Sequence, residues 1–179
     1  YVRDGGAVLV AAGPDYASPT SIWRTPLESI LPAEPNGKTV EAPFHAQLTD
    51  AGRRHPVTRG LVGADTNPPH WSRWFRLVDT RAANGTTIMD GPDKKPVLVL
   101  AREGEGRVGL LLSDHIWLWA RGHEGGGPHG ELLRRLAHWL MAEHELEETR
   151  LAARVEGDIL KLDRQTGEED ATATVTVTR

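Results

Sequence analysis

The chain has no cysteine among its 179 residues. That removes disulfides, thiolate metal sites and every mechanism built on a cysteine nucleophile, and it leaves the cellular compartment open. No apolar run approaches the roughly 18 residues needed to span a bilayer, and no secretory signal pattern opens the sequence. Blocks rich in lysine or arginine are also missing. The net charge is -4 with a pI near 6.1, and the basic residues are scattered as single charges and RR pairs. Electrostatics therefore give no support to nucleic-acid binding. No internal repeat is visible.

What is present suits one domain, or one domain with a small appendage. A hydrophobic content of 39% is ordinary, if low, for a chain with a core. The first residue is Tyr1 rather than methionine, so the chain reads as a piece of something longer, with targeting signals expected outside it. Ala7 to Ala12 (AVLVAA) is a short apolar run between glycines, the pattern of a parallel strand buried on both faces. From Ser18 to Pro69 proline, glycine and polar residues dominate, with one helical candidate around Pro26 to Ile30. Trp71 to Thr80 (WSRWFRLVDT) predicts a strand with mixed faces, and Asn84-Gly85 a turn. Within Asn67 to Trp71 the rigid prolines are expected to present Trp71 or Trp74 at a surface.

Two apolar runs flank Gly104-Glu105-Gly106, which predicts a β-hairpin with buried strands at Val97–Ala101 and Arg107–Leu112. The best helix follows a run of three glycines. Pro128 suits its first position, and Leu132, Leu133, Leu136, Trp139 and Leu140 form one apolar stripe opposite Glu131, Arg134 and Arg135. Beyond Leu151 the character changes. LAARVEGDILKLDR alternates around Gly157-Asp158 as a hairpin, Glu168 to Asp170 form a solvated cluster, and ATATVTVT reads as a third strand. The expected division is an α/β domain over residues 1–150 and a small β appendage over 151–179.

The opening YVRDGGAVLVAAGPDYASPTSIWRTPLESILPA, with HPVTRGL, GRVGLLLSDHIWLWARG and GELLRRLAHWLM in that order, resembles the glutamine amidotransferase-like family of large bacterial membrane-anchored proteins. The resemblance covers roughly Tyr1 to Arg150. It implies a flavodoxin-like, class I amidotransferase-like α/β sheet, of which this chain holds the later part, with the early strands expected upstream of Tyr1. Such an enzyme carries a cysteine on a tight turn after a buried strand, activated by a histidine with a carboxylate. The matching turn here is AAGPDYASP: Pro14, Asp15 and Tyr16 follow Gly13 where the nucleophile belongs. Ser18 is the nearest hydroxyl, without a G-x-S-x-G elbow. Cysteine-dependent glutaminase chemistry is excluded.

Asp114-His115 follows the strand GRVGLLL, where the resemblance places a catalytic histidine and where open α/β sheets hold ligands. The plainer reading is that Asp114 caps the loop and His115 is partly exposed. Trp117 and Trp119, two apart in an extended segment, are expected on one side, as a stacking platform or as cover for the sheet end. His115, His123 and His129 are spaced by eight and six residues, which matches no short zinc motif. His138 and His144 are expected at the surface or a helix end. Gly125-Gly126-Gly127 lacks the phosphate-binding signatures, and Pro128 removes one donor, so a flexible loop is expected rather than an anion cradle. Arg121, if it faces that loop, favours a carboxylate or phosphate. Asp15, Tyr16 and Ser18 are turn formers first and ligand contacts second.

The resulting expectation is a catalytically silent binding or scaffold domain of a bacterial membrane-anchored envelope protein, with the periplasmic side favoured. Its ligand, a small molecule or a protein segment, would sit near Asp15, Asp114 and Trp117. No cofactor and no metal are expected. A cysteine-independent hydrolase using Asp114, His115 and perhaps Asp15 is the rival, and a metal-binding module a third reading.

Overall fold

The computed structural model describes residues 1–143, 150–157 and 159–165. Five strands form the main sheet: β1 (Ala7–Ala11), β3 (Gln47–Leu48), β5 (Thr86–Asp90), β6 (Pro96–Glu103) and β7 (Gly106–Leu111), in the order β1-β7-β6-β5-β3. β1 runs parallel to β7, and the remaining pairs are antiparallel. A second, two-stranded antiparallel sheet pairs β2 (Ala33–Val40) with β4 (Leu77–Ala83). The chain is thus a mixed α/β fold with a mixed sheet.

The β6–β7 hairpin forms where the two apolar runs predict it. Glu103 pairs with Gly106 across the two-residue turn Gly104-Glu105, and every residue of β7 is buried. The helix α3 (His129–Leu140) turns Leu132, Leu136, Trp139 and Leu140 into the core, with Leu133 half-buried beside them. Pro128 stands one residue outside as the helix cap, and its carbonyl accepts the Leu132 N–H. Arg107, buried in β7, ties this helix to the sheet. Its guanidinium lies 5.0 Å from the Trp139 ring and donates to the Trp139 carbonyl, at the negative end of the helix dipole.

Other expectations are corrected. AVLVA is parallel to β7 but is not buried on both faces: it bonds to β7 alone, lies at the sheet edge, and leaves Leu9 44% exposed. The proline-rich stretch from Ser18 to Pro69 contains β2, β3 and a short helix, α1 (Asp50–Arg54), capped by the Thr49 hydroxyl accepting from Gly52 N–H. Pro26–Ser29 is a single 3-10 turn. The strand predicted from Trp71 begins only at Leu77. Before it, Trp74 and Phe44 form one isolated bridge. Trp71 and Trp74 are buried rather than presented. At the C-terminal end, β8 (Arg150–Glu156) and β9 (Ile159–Gln165) form an antiparallel hairpin. His144, the Glu168 to Asp170 cluster and the ATATVTVT strand lie outside the described residues.

Candidate functional site

Because β1 and β7 run parallel, their C-terminal ends open on the same side of the sheet. The chain leaves β1 through Gly13 into a 3-10 turn, Pro14–Ala17, and leaves β7 through Leu112 and Ser113 to Asp114. The two exits touch: a Cβ on Gly13 would lie 3.2 Å from the Asp114 carboxylate. The Asp114 carboxylate therefore packs against the first residue of the turn that leaves β1.

Arg76 orders this carboxylate. Its Nη1 donates to Asp114 Oδ2 at 3.2 Å, while its Nε reaches Glu41 Oε1 at 3.3 Å. Ser113 locks the same loop, its hydroxyl donating to the Arg76 carbonyl at 2.6 Å and accepting the His115 N–H. His115 Nδ1 accepts the backbone N–H of Phe75 at 3.1 Å. That bond fixes the neutral tautomer: the lone pair is engaged at Nδ1 and the proton sits on Nε2. Nε2 lies 3.7 Å from Asp114 Oδ1, too far for a hydrogen bond. A general base needs a free lone pair, and His115 has spent its own on the Phe75 amide.

The other predicted site residues divide sharply. Tyr16 is core, with its hydroxyl donating to the Ala33 carbonyl at 2.7 Å, and burial raises its pKa well above the usual phenol value. It pins the elbow turn to β2 and is closed to a ligand. Ser18 closes its own turn by donating to the Asp15 carbonyl at 2.8 Å. Asp15 is exposed and, among the described residues, joins His115 through neither a hydrogen bond nor an ion pair. Arg121 is likewise exposed.

Trp117 and Trp119 do not share a face. They lie in a four-residue helix, α2 (Trp117–Ala120), where a step of two residues turns by about 200°. Trp117 is 52% exposed, while Trp119 is buried and donates its indole N–H to the Ser72 carbonyl at 3.0 Å. The glycine run is an ordered turn rather than a flexible loop. Gly125 and Gly126 N–H groups bond back to Gly122 and His123, and the Gly126 carbonyl accepts from Ser72. Its amides are used internally, so none is left to cradle an anion at those two positions. Glu124, inside this turn, is gripped by the Arg73 guanidinium and accepts the Arg73 amide N–H as well. The hydrogen bond from Arg73 holds its carboxyl down at about 2.

Sequence reasoning missed Phe75, Arg76 and Glu41. Phe75 sits edge-on between His115 and His123, with ring centroids 6.4 and 5.6 Å away. Arg76 lies 38 positions before Asp114, and no local spacing signals such a pair. Among the described residues no three histidine or acidic side chains gather closely enough to hold a metal ion. No described helix is long and apolar enough to cross a membrane.

No protein-family model matches the chain, and no curated protein is similar to it in sequence. Solved structures do share its fold. The cytoplasmic protein STM3548 from Salmonella typhimurium superimposes with a TM-score of 0.62 at 19% identity, over 78% of this chain. The cytoplasmic protein STM1381 from Salmonella typhimurium LT2 gives 0.58 at 21% identity, again over 78%. This chain spans 57% of the length of each. At such identities the likeness carries the fold and leaves the chemistry to the site itself.

Proposed function

We propose that this chain is a catalytically silent, amidotransferase-like binding domain whose ligand sits across the C-terminal ends of β1 and β7. The observation that carries the reading is the pairing of Arg76 with Asp114 against Gly13. A salt-bridged carboxylate from the β7 exit thus lies against the glycine that opens the β1 turn. Asp15 on the β1 exit is an unpaired exposed carboxylate and Trp117 after the β7 exit an exposed indole, and together they suit a small polar ligand or a partner segment with one apolar group. A cysteine-independent hydrolase needs Asp15 and His115 to act on one reacting atom. The Phe75–His115 hydrogen bond counts against it.

Glutamine is the natural first probe. Purified protein is expected to release ammonia from glutamine only at the buffer background. Release that disappears in His115→Ala would overturn the silent reading. Chemical-shift mapping with glutamine or short peptides is expected to move the amides of Gly13, Asp15, Asp114 and Trp117 together. As for location, the resemblance favours a membrane-anchored protein with this domain on the periplasmic side, whereas the two structural neighbours are called cytoplasmic. Fractionation of cells carrying the full gene product separates these placements.

A further inference from the structure

A concavity lies well apart in sequence from the β1–β7 exits. It is an open depression of about 480 Å³ between β3, α1 and the loop Gly60–Asp65, within the roughly 300–1,000 Å³ usual for small-molecule sites. Leu48, Leu61 and Ala64 form an apolar floor, and all three are buried. Val62 stands on the wall with 85% of its surface exposed. Between the buried Leu61 and Ala64, that side chain adds nothing to the core.

The frame is preorganised. Leu61 and Ala64 N–H groups close successive turns onto Thr58 and Leu61. The Trp71 indole N–H donates to the Val62 carbonyl at 2.8 Å, and the His70 N–H to the Gly63 carbonyl at 2.8 Å. Gly63 has φ +79, and a Cβ there would lie 3.1 Å from Trp71 Nε1, so only glycine lets the indole reach the loop. A loop held this way loses little entropy on binding.

Two charges of opposite sign, Arg53 and Asp65, line this pocket. Among the described residues neither side chain makes a hydrogen bond or ion pair, and the two charged groups are more than 4.0 Å from each other. A cation and an anion held apart beside an apolar floor match a ligand carrying both charges and an apolar side chain. We propose that this pocket binds zwitterionic apolar amino acids or dipeptides, the carboxylate on Arg53, the ammonium on Asp65 and the side chain on Leu61 and Val62. Both charges are solvent-exposed, so each contact strengthens binding by at most about fivefold, and the affinity is weak.

The test titrates 15N-labelled full-length chain with L-leucine and with leucyl-leucine, following Gly60 to Asp65. Saturable shifts confined to that loop and to α1 are expected. Acetylating the amine or amidating the carboxylate of either probe should weaken binding measurably, by up to about fivefold. Arg53→Gln should abolish discrimination against the amide, and Asp65→Asn discrimination against the acetylated form. Both side chains lie on the surface, so circular dichroism should be unchanged. If neither zwitterion saturates, or if blocked and free forms bind equally, the proposal is overturned. Shifts centred on Gly13 and Asp114 instead would overturn it too, while supporting the other site.

Discussion

Two faces of one segment, Trp71 to Leu77, behave in opposite ways. On the inner face Trp71 and Trp74 pack against Trp119, with ring centroids 5.1 and 4.7 Å away. The backbone of Ser72 stitches both sides of that cluster, donating to Gly126 and accepting from Trp119. On the outer face Arg73, Phe75 and Arg76 meet Glu124, His115 and Asp114 through charge and ring edges. The inner contacts are desolvated and interlocked, so they hold the fold. The outer ones are half-exposed and cost less to rearrange. The stretch from Asp114 to Gly127 supplies both partners, which is why a motif rich in histidine and tryptophan gathers so few groups at the site itself.

The contrast predicts its own sharpest test. Trp119→Ala should remove about 3–5 kcal/mol of stability, because it empties a buried site between two other indoles and orphans the Ser72 carbonyl. Urea denaturation reads the loss directly. A loss below about 1 kcal/mol would place the tryptophan cluster outside the cooperative core. Next in size is Gly127→Ala. Its Cβ would lie 2.5 Å from the Trp119 ring, and relieving that overlap costs about 1–3 kcal/mol. The double variant Gly127→Ala/Trp119→Ala should be less destabilised than the sum of the two, since the ring that causes the clash is gone.

The core was legible in the sequence only where periodicity was strong, and the inner face was not, since Trp71 and Trp74 were expected at a surface and are buried. α3 and the β6–β7 hairpin are readable because their apolar positions repeat with one clear period over a full element. β2 is not, since AEPNGKTV carries Pro35, Asn36 and Gly37, all poor strand formers, and its pairing with β4 shifts register twice. The tertiary partner overrides the local preference. Trp117 and Trp119 fail for a different reason: a four-residue apolar stretch is too short to separate period 2 from period 3.6, and the wrong period turns one ring by half a circle. At the site, Asp114 and His115 were legible as the end of a buried strand. Arg76 and Phe75 were not, because their partners come from the β7 exit, brought close only by the fold.

On the outer face the Arg73–Glu124 contact should respond to acid without threatening the fold. Arg73 depresses the Glu124 carboxyl from 4.5 to about 2. A depressed carboxyl adds stability above its unfolded value, and that contribution disappears as pH falls from about 4.5 through about 2. The effect belongs to an exposed group, so it should be read locally. Amide shifts of Gly125 and Gly126 should titrate with a midpoint near 2 in the wild type and lose that step in Glu124→Gln. A midpoint at the ordinary glutamate value would mean that Arg73 does not hold the loop in solution.

The smallest effect on stability is expected at Trp117, and it separates the two faces most cleanly. The residue shares a helix with Trp119, yet the half-turn between them leaves it 52% exposed. Surface truncations away from caps and buried networks change stability by no more than about 0.5 kcal/mol. Trp117→Ala should therefore match the wild type in urea, while Trp119→Ala collapses. If Trp117 belongs to the binding seat, the same variant must weaken any ligand that shifts Gly13, Asp15 and Asp114, because an exposed indole on the β7 exit offers apolar contact that alanine cannot replace. Unchanged stability with lost binding assigns Trp117 to the site. Lost stability would show instead that the indole packs as cover over the sheet end, and the division between a structural face and a binding face would have to be redrawn through α2.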